Sequence, residues 1–153
     1  MPQITFHSSP ARIVSAGILI GVTGCTPTVS DKDIRTIALS GVRTYYVLQQ
    51  RDPGGTIIVL IDPRTSAAYQ AAHIPGARNM KLPEFKRGDA RDPDLEAFDR
   101  IVVYGQHPGD YFAPGVVKRL LELGYDGVWF YAGGLDEWAR VYNVESAEPG
   151  DGS

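Results

Sequence analysis

The stretch Gly105-Gln106-His107-Pro108-Gly109-Asp110-Tyr111-Phe112 sets an imidazole and a carboxylate three residues apart, in a run rich in glycine and proline. Such groups exchange protons with a substrate as general acid or base, and a carboxylate such as Asp110 can also attack as a nucleophile. The stretch has no serine, threonine, cysteine, arginine or lysine. It therefore offers no thiol for sulfur chemistry and no cation to hold an anionic substrate. A second polar pair, Asp62 and Arg64, flanks Pro63 at the end of an apolar run, where an ion pair and hydrogen bonds to turn amides are expected. The one thiol, Cys25, lies far upstream. A single cysteine excludes an internal disulfide, a CxxC redox pair and a multi-cysteine zinc site. His7, His73 and His107 lack metal-ligand spacing. Neither a metal nor a cofactor is expected.

The elements that hold these groups follow from periodicity. Thr56 to Ile61 (TIIVLI), Ile101 to Tyr104 (IVVY) and Val128 to Tyr131 (VWFY) are short continuous apolar runs, the pattern of strands covered on both faces. Helices are expected over Ser40–Gln50, capped by Ser40 and broken by Asp52-Pro53-Gly54-Gly55, and over Ser66–Ala72. A third runs from Pro114 to Leu123, with Val116, Val117, Leu120 and Leu121 on one face and Gly124 at its end. Leu135–Tyr142 is the last. Pro75-Gly76 makes a turn, and Ala77–Met80 a brief extended piece. Strands alternating with helices place the chain in the α/β class, with a parallel sheet between helical layers.

Composition agrees with one folded domain plus an extension. The chain has 153 residues, 43% apolar and 22% charged, and a formal charge of −3 from interspersed acids and bases. Without a basic run or a stripe of lysine and arginine, nucleic acid is not an expected partner. No internal repeat is present.

The N-terminal residues read as an address. Arg12 is followed by Ile13 to Val22 (IVSAGILIGV), an uncharged and mostly apolar run. That is the layout of a secretory signal, and the run is too short for a spanning helix of about 20 residues. Val22-Thr23-Gly24-Cys25 resembles a bacterial lipobox, which implies cleavage before Cys25 and lipid attachment to it. The expected organisation is a signal peptide at 1–24, a tether at 25–32, a domain at 33–144 and a flexible tail at 145–153. The implied location is the bacterial cell envelope, with the domain held on a membrane through its lipid and facing the periplasm. Thr26 after the cysteine favours the outer membrane.

Four ordered motifs resemble the rhodanese-like family. Ile61-Asp62-Pro63-Arg64 with Tyr69 and Ala72-His73-Ile74-Pro75-Gly76-Ala77 resembles its first signature, with Ala72 where glycine is usual. Ile101–Tyr104 resembles the strand before the active-site loop, Gly124-Tyr125 the turn after the next helix, and Gly133-Gly134-Leu135-Asp136-Glu137-Trp138 the C-terminal element. The resemblance implies a central parallel sheet of about five strands with helices on both faces. Asp62, Arg64, His73, Gly76 and Trp138 then read as structural motif residues, with Trp138 a core anchor and His73 a hydrogen-bonded histidine.

In rhodaneses a cysteine opens the loop after that strand. Loop amides and the following helix N-terminus lower its pKa and hold the anionic sulfur it carries. The resemblance puts Gly105 at this position, in a loop somewhat longer than the common form. No catalytic residue is therefore assigned. The candidate binding residues are Gly105, Gln106, His107, Gly109, Asp110 and Tyr111. Asp110 reads as a cap on the following helix that would occupy the amide donors itself. Tyr111 and Phe112 read either as an exposed aromatic contact or as core. The expected function is a non-catalytic, lipid-anchored module that binds or senses a protein partner or an anion. The alternative is a sulfurtransferase using an atypical nucleophile or a partner's thiol. Oligomeric state leaves no mark in the sequence.

Overall fold

In the computed structural model, which describes residues 28–146, a parallel four-stranded sheet lies between two helical layers. The strands are β1 (Val59–Asp62), β2 (Arg78–Asn79), β3 (Ile101–Tyr104) and β4 (Val128–Tyr131), in the order β2-β1-β3-β4. The helices are α1 (Leu39–Arg51), α2 (Ser66–Ala71), α3 (Pro93–Glu96), α4 (Phe112–Glu122) and α5 (Gly134–Ala139). The extended piece expected at 77–80 is β2, the edge strand beside β1.

Side chains of β1 and β3 alternate between two cores, and for this reason their sequences are apolar throughout. Val59, Ile61, Ile101 and Val103 pack with Ala113, Val116, Val117 and Leu120 of α4. Leu60, Val102 and Tyr104 face the other way, onto Val42 of α1 and Leu135 and Trp138 of α5. Each fully buried aliphatic side chain contributes roughly 1.5–3 kcal/mol, so β3 is the spine of the fold.

The sheet has four strands rather than the five implied by the resemblance. Beside β4, where a fifth would lie, residues 35–37 make a single parallel bridge centred on Thr36 and Phe130. The Phe130 amide donates to the Arg35 carbonyl at 2.8 Å, and the Ile37 amide donates to the Phe130 carbonyl at 2.9 Å. A 3-10 turn at Asp31–Asp33 and the start of α1 at Leu39 take the chain away on either side. No ladder longer than a bridge can form.

Several boundaries also move. β1 begins at Val59 instead of Thr56, because Gln49 Oε1 of α1 accepts from the Ile57 and Ile58 amides at 2.9 and 3.2 Å. Ala38, not Ser40, is the N-cap of α1, and the Ser40 carbonyl accepts the Thr44 hydroxyl at 2.8 Å. α4 starts two residues before Pro114 and ends at Glu122, with Leu123 its C-cap and Gly124 next, whose φ of 81° suits glycine. α5 stops at Ala139, short of Tyr142, where the Trp138 carbonyl takes both the Val141 and Tyr142 amides. Among the described residues no helix is long and apolar enough to cross a membrane. Cys25, the proposed signal and residues 147–153 lie outside the described residues.

Candidate functional site

β1, β3 and β4 deliver Asp62, Gly105 and Gly133-Gly134 to the carboxyl edge of the sheet, where open α/β sheets bind their ligands. From Gly105 the loop curls back over its own start. The Asp110 amide donates to the His107 carbonyl at 3.0 Å, and the Gly109 amide donates to His107 Nδ1 at 3.0 Å. The turn aims the Asp110 carboxylate at the head of the loop. Its Oδ2 accepts from the Gln106 amide at 2.9 Å and its Oδ1 from the Phe112 amide, the first of α4, at 2.8 Å. Asp110 thus caps the helix from outside the formal N-cap residue, Tyr111.

Gly105 and Asp110 share one space. A Cβ built on Gly105 would stand 2.6 Å from both Cγ and Oδ2 of Asp110. No side chain larger than hydrogen fits at 105 while the carboxylate keeps its amides. A group able to accept a transferred atom is absent at 105, and a fixed anion sits beside it.

A buried polar chain holds the loop from below. Arg64 Nη2 donates to Asp62 Oδ2 at 2.6 Å and to the Ala72 carbonyl at 2.6 Å, and its Nε donates to Asp62 Oδ1 at 2.9 Å. Arg64 Nη1 reaches Gln106 Oε1 at 2.5 Å, and Gln106 Nε2 donates to Asp136 Oδ1 of α5 at 2.6 Å. Burial works against the Arg64 charge, but Asp62 outweighs it and holds the guanidinium pKa above its ordinary value. At the end of β3, the Tyr104 hydroxyl accepts from the Ile74 amide at 3.0 Å. Burial, and then the Asp62 carboxylate, pushes the Tyr104 phenol well above its usual range, so it stays neutral. The loop's own sequence has no cation, but the fold brings up Arg64, whose Nε, Nη1 and Nη2 all donate to protein acceptors, and Arg140, which lines a pocket with His107, Pro108, Asp136 and Glu137.

The remaining candidates fall outside this centre. His73 is buried away from the loop, its Nδ1 2.8 Å from the Tyr69 carbonyl and its ring stacked on Tyr69. Its backbone pairs in an antiparallel bridge with Glu145, whose carboxylate also accepts from the Gly76 amide at 3.2 Å. The first residue of the expected tail is therefore tied to the domain. Gly76 turns with φ of 77°. Trp138 is buried, edge-on to Tyr46, and its Nε1 donates to the Asn143 carbonyl at 2.9 Å. Tyr111 and Phe112 are 90% and 66% exposed, so they neither plug the loop nor join the core. Local sequence pattern carries no signal for Gln106 as a bridge, for Asp136 as its acceptor, or for Tyr104 as the acceptor of the Ile74 amide. Close approach demands Gly134, with φ of 65°: a Cβ there would lie 2.6 Å from the Gly105 carbonyl.

A family model for the rhodanese-like domain matches residues 44–141, from α1 to just past α5. The chain belongs to the rhodanese-like domain family. The chain is 32% identical over 96 residues to the adenylyltransferase and sulfurtransferase UBA4 of Candida albicans, a match covering 60% of this chain. The chain spans about a fifth (21%) of that relative's length. Solved structures share the rhodanese-like fold at low identity. A Bacillus halodurans protein aligns with a TM-score of 0.57 at 20% identity, covering 76% of this chain and 80% of its own. A human single-domain sulfurtransferase aligns at 0.53 and 24%, covering 71% and 97%.

Proposed function

We propose that this rhodanese-like domain does not transfer sulfur and serves as a binding or sensing module, held at the bacterial cell envelope by a lipid on Cys25. One observation carries the reading. The place where a rhodanese would hold its thiolate is Gly105, and the space beside it is taken by the Asp110 carboxylate on the loop amides. A persulfide is an anion that such amides stabilise. Here an internal anion already uses two of those donors and would repel thiosulfate. Arg64, the cation bonded to the loop, is buried and committed to Asp62, Ala72 and Gln106, and Arg140 beside the loop shares its pocket with the acids Asp136 and Glu137. The anchor rests on the lipobox resemblance at 22–25. A module retained without chemistry must act through its surface, and the exposed Tyr111 and Phe112 make the loop's far end the natural contact.

The test is a thiosulfate:cyanide sulfur-transfer assay on the purified domain, with intact-mass measurement after incubation with thiosulfate. The expected result is no turnover and no added mass. A gain of one sulfur atom on a protein starting after Cys25, abolished by changing a loop residue, would establish the sulfurtransferase alternative instead. For the anchor, globomycin should block processing at Cys25, and Cys25→Ser should release the protein from the membrane fraction. Unchanged membrane association would reject it.

A further inference from the structure

An apolar groove of about 320 Å³ opens at the exposed end of the loop, distinct from the amide cradle. Pro63, Leu82, Pro83, Phe112 and Val116 wall it, and Thr65 and Lys81 are its polar members. Its construction is unusual for a surface. Leu82 and Phe112 stand 37% and 66% exposed, and Tyr111 next to Phe112 is 90% exposed. Those three are half of the six large apolar side chains exposed among the described residues. Scattered single apolar residues on a surface need no explanation, but a cluster walling a concave site marks a contact surface.

The charge at the groove identifies what fits. The Lys81 ammonium donates to Ser66 Oγ at 2.7 Å and makes no ion pair among the described residues. The nearest acid in sequence, Glu84, is engaged elsewhere, its Oε1 accepting from the Lys81 backbone amide at 2.9 Å. A cation with donors to spare beside an otherwise apolar groove is complementary to an apolar side chain with an adjacent carboxylate. We infer that the groove docks a short segment of a protein partner, one large apolar side chain (Phe, Trp or Leu) inserted between Leu82 and Phe112 with a neighbouring Asp or Glu on Lys81. A second copy of this chain is a poorer occupant, because each copy carries net charge −3 and brings the same cation to the contact. The inference stands whether or not the loop transfers sulfur, since the one residue shared with the Asp110 cradle, Phe112, meets Asp110 through its backbone amide and the groove through its ring.

The experiment is selection of random displayed peptides against the full chain, followed by titration of the synthetic winners onto variants. Selected peptides are expected to place an aromatic or leucine within two residues of an acid. Phe112→Ala should weaken their binding tenfold or more, as truncation of a central apolar anchor does. Lys81→Glu should weaken it similarly and reverse its salt dependence, because screening then relieves a repulsion. Leu48→Ala, an exposed residue on α1, should leave binding unchanged, and far-UV circular dichroism should show all three variants folded. The inference is overturned by selection of no peptide, by basic peptides, or by winners indifferent to both groove variants. Concentration-dependent dimerisation lost in Phe112→Ala, or binding to anionic lipid vesicles lost in Lys81→Glu, would overturn it in favour of a second copy or a lipid surface.

Discussion

Replacing Gly105 by alanine would put a methyl carbon 2.6 Å from Asp110 Cγ and Oδ2 and 2.7 Å from its Cβ. Carbon contacts are comfortable at about 3.5–4.0 Å, so the overlap approaches 1 Å and Asp110 must swing out. Gly105 does not have a positive φ, so alanine brings no penalty of its own backbone conformation, and the cost is the displaced carboxylate plus the loop shift that frees the Asp110 Cβ. That movement breaks the bonds from the Gln106 and Phe112 amides, 2.9 and 2.8 Å long. Hydrogen bonds to charged groups contribute about 1.5–3 kcal/mol each; because loop amides regain water, the expected net cost of Gly105→Ala is about 2–4 kcal/mol. Asp110→Gly removes the same bonds together with the Asp110 Cβ and should cost about 1–2 kcal/mol, from the lost cap and the added chain freedom of glycine. Once residue 110 is glycine, with neither carboxylate nor Cβ, the collision is gone, and Gly105→Ala should add no more than about 1 kcal/mol. Urea unfolding of the four proteins closes a double-mutant cycle with a coupling of about 1–4 kcal/mol. Costs that add to within about 0.5 kcal/mol would show that the two residues do not share one space, and the reasoning would fail.

Three further outcomes follow from the same geometry. In a Cys25→Ser background, Gly105→Cys combined with Asp110→Gly should gain one sulfur atom from thiosulfate by intact mass, and Gly105→Cys alone should gain far less; equal loading would show that Asp110 is no obstacle. Arg64→Lys keeps the charge but loses the forked contact to Asp62 and the reach to Gln106. It should cost about 2–4 kcal/mol in urea unfolding, close to the figure for breaking a buried pair, and a loss under about 0.5 kcal/mol would contradict the network. The raised Tyr104 pKa means that above pH 10.0 the unfolded chain loses this proton first, so stability is complete below that pH and declines above it. The slope is up to about 1.4 kcal/mol per pH unit for each such group. Tyr104→Phe should cost about 1 kcal/mol at pH 7, from the lost acceptor for Ile74, and should flatten the alkaline decline. An unchanged slope would assign that decline elsewhere.

Much of this protein is written in local pattern. TIIVLI, IVVY and VWFY are strands because a chain buried on both faces needs apolar residues at every position, and that requirement is visible without coordinates. Val116, Val117 and Leu120 mark the buried face of α4 by helical spacing alone, and Gly124 marks its end. Strand ends were less legible. The amides of Ile57 and Ile58 are claimed by the side chain of Gln49, and no strand propensity records a competitor on another element. The fifth strand failed likewise, reduced to one bridge by the turns that flank Thr36.

The sequence by itself determined that residue 105 is glycine, that its loop lacks a thiol and a cation, and that Asp62 and Arg64 stand close enough to pair. Only the tertiary structure decided what those facts mean together. It bends the loop until the Asp110 carboxylate lies where a side chain on residue 105 would be. It brings Arg64 to Gln106 across 42 residues and Gln106 to Asp136 across 30. It also gathers Pro63, Leu82 and Phe112 from three separate segments into one groove. The physical reason is that identity and spacing fix what each residue can do, whereas sharing of space and donors is settled by which distant segments the packed sheet forces together.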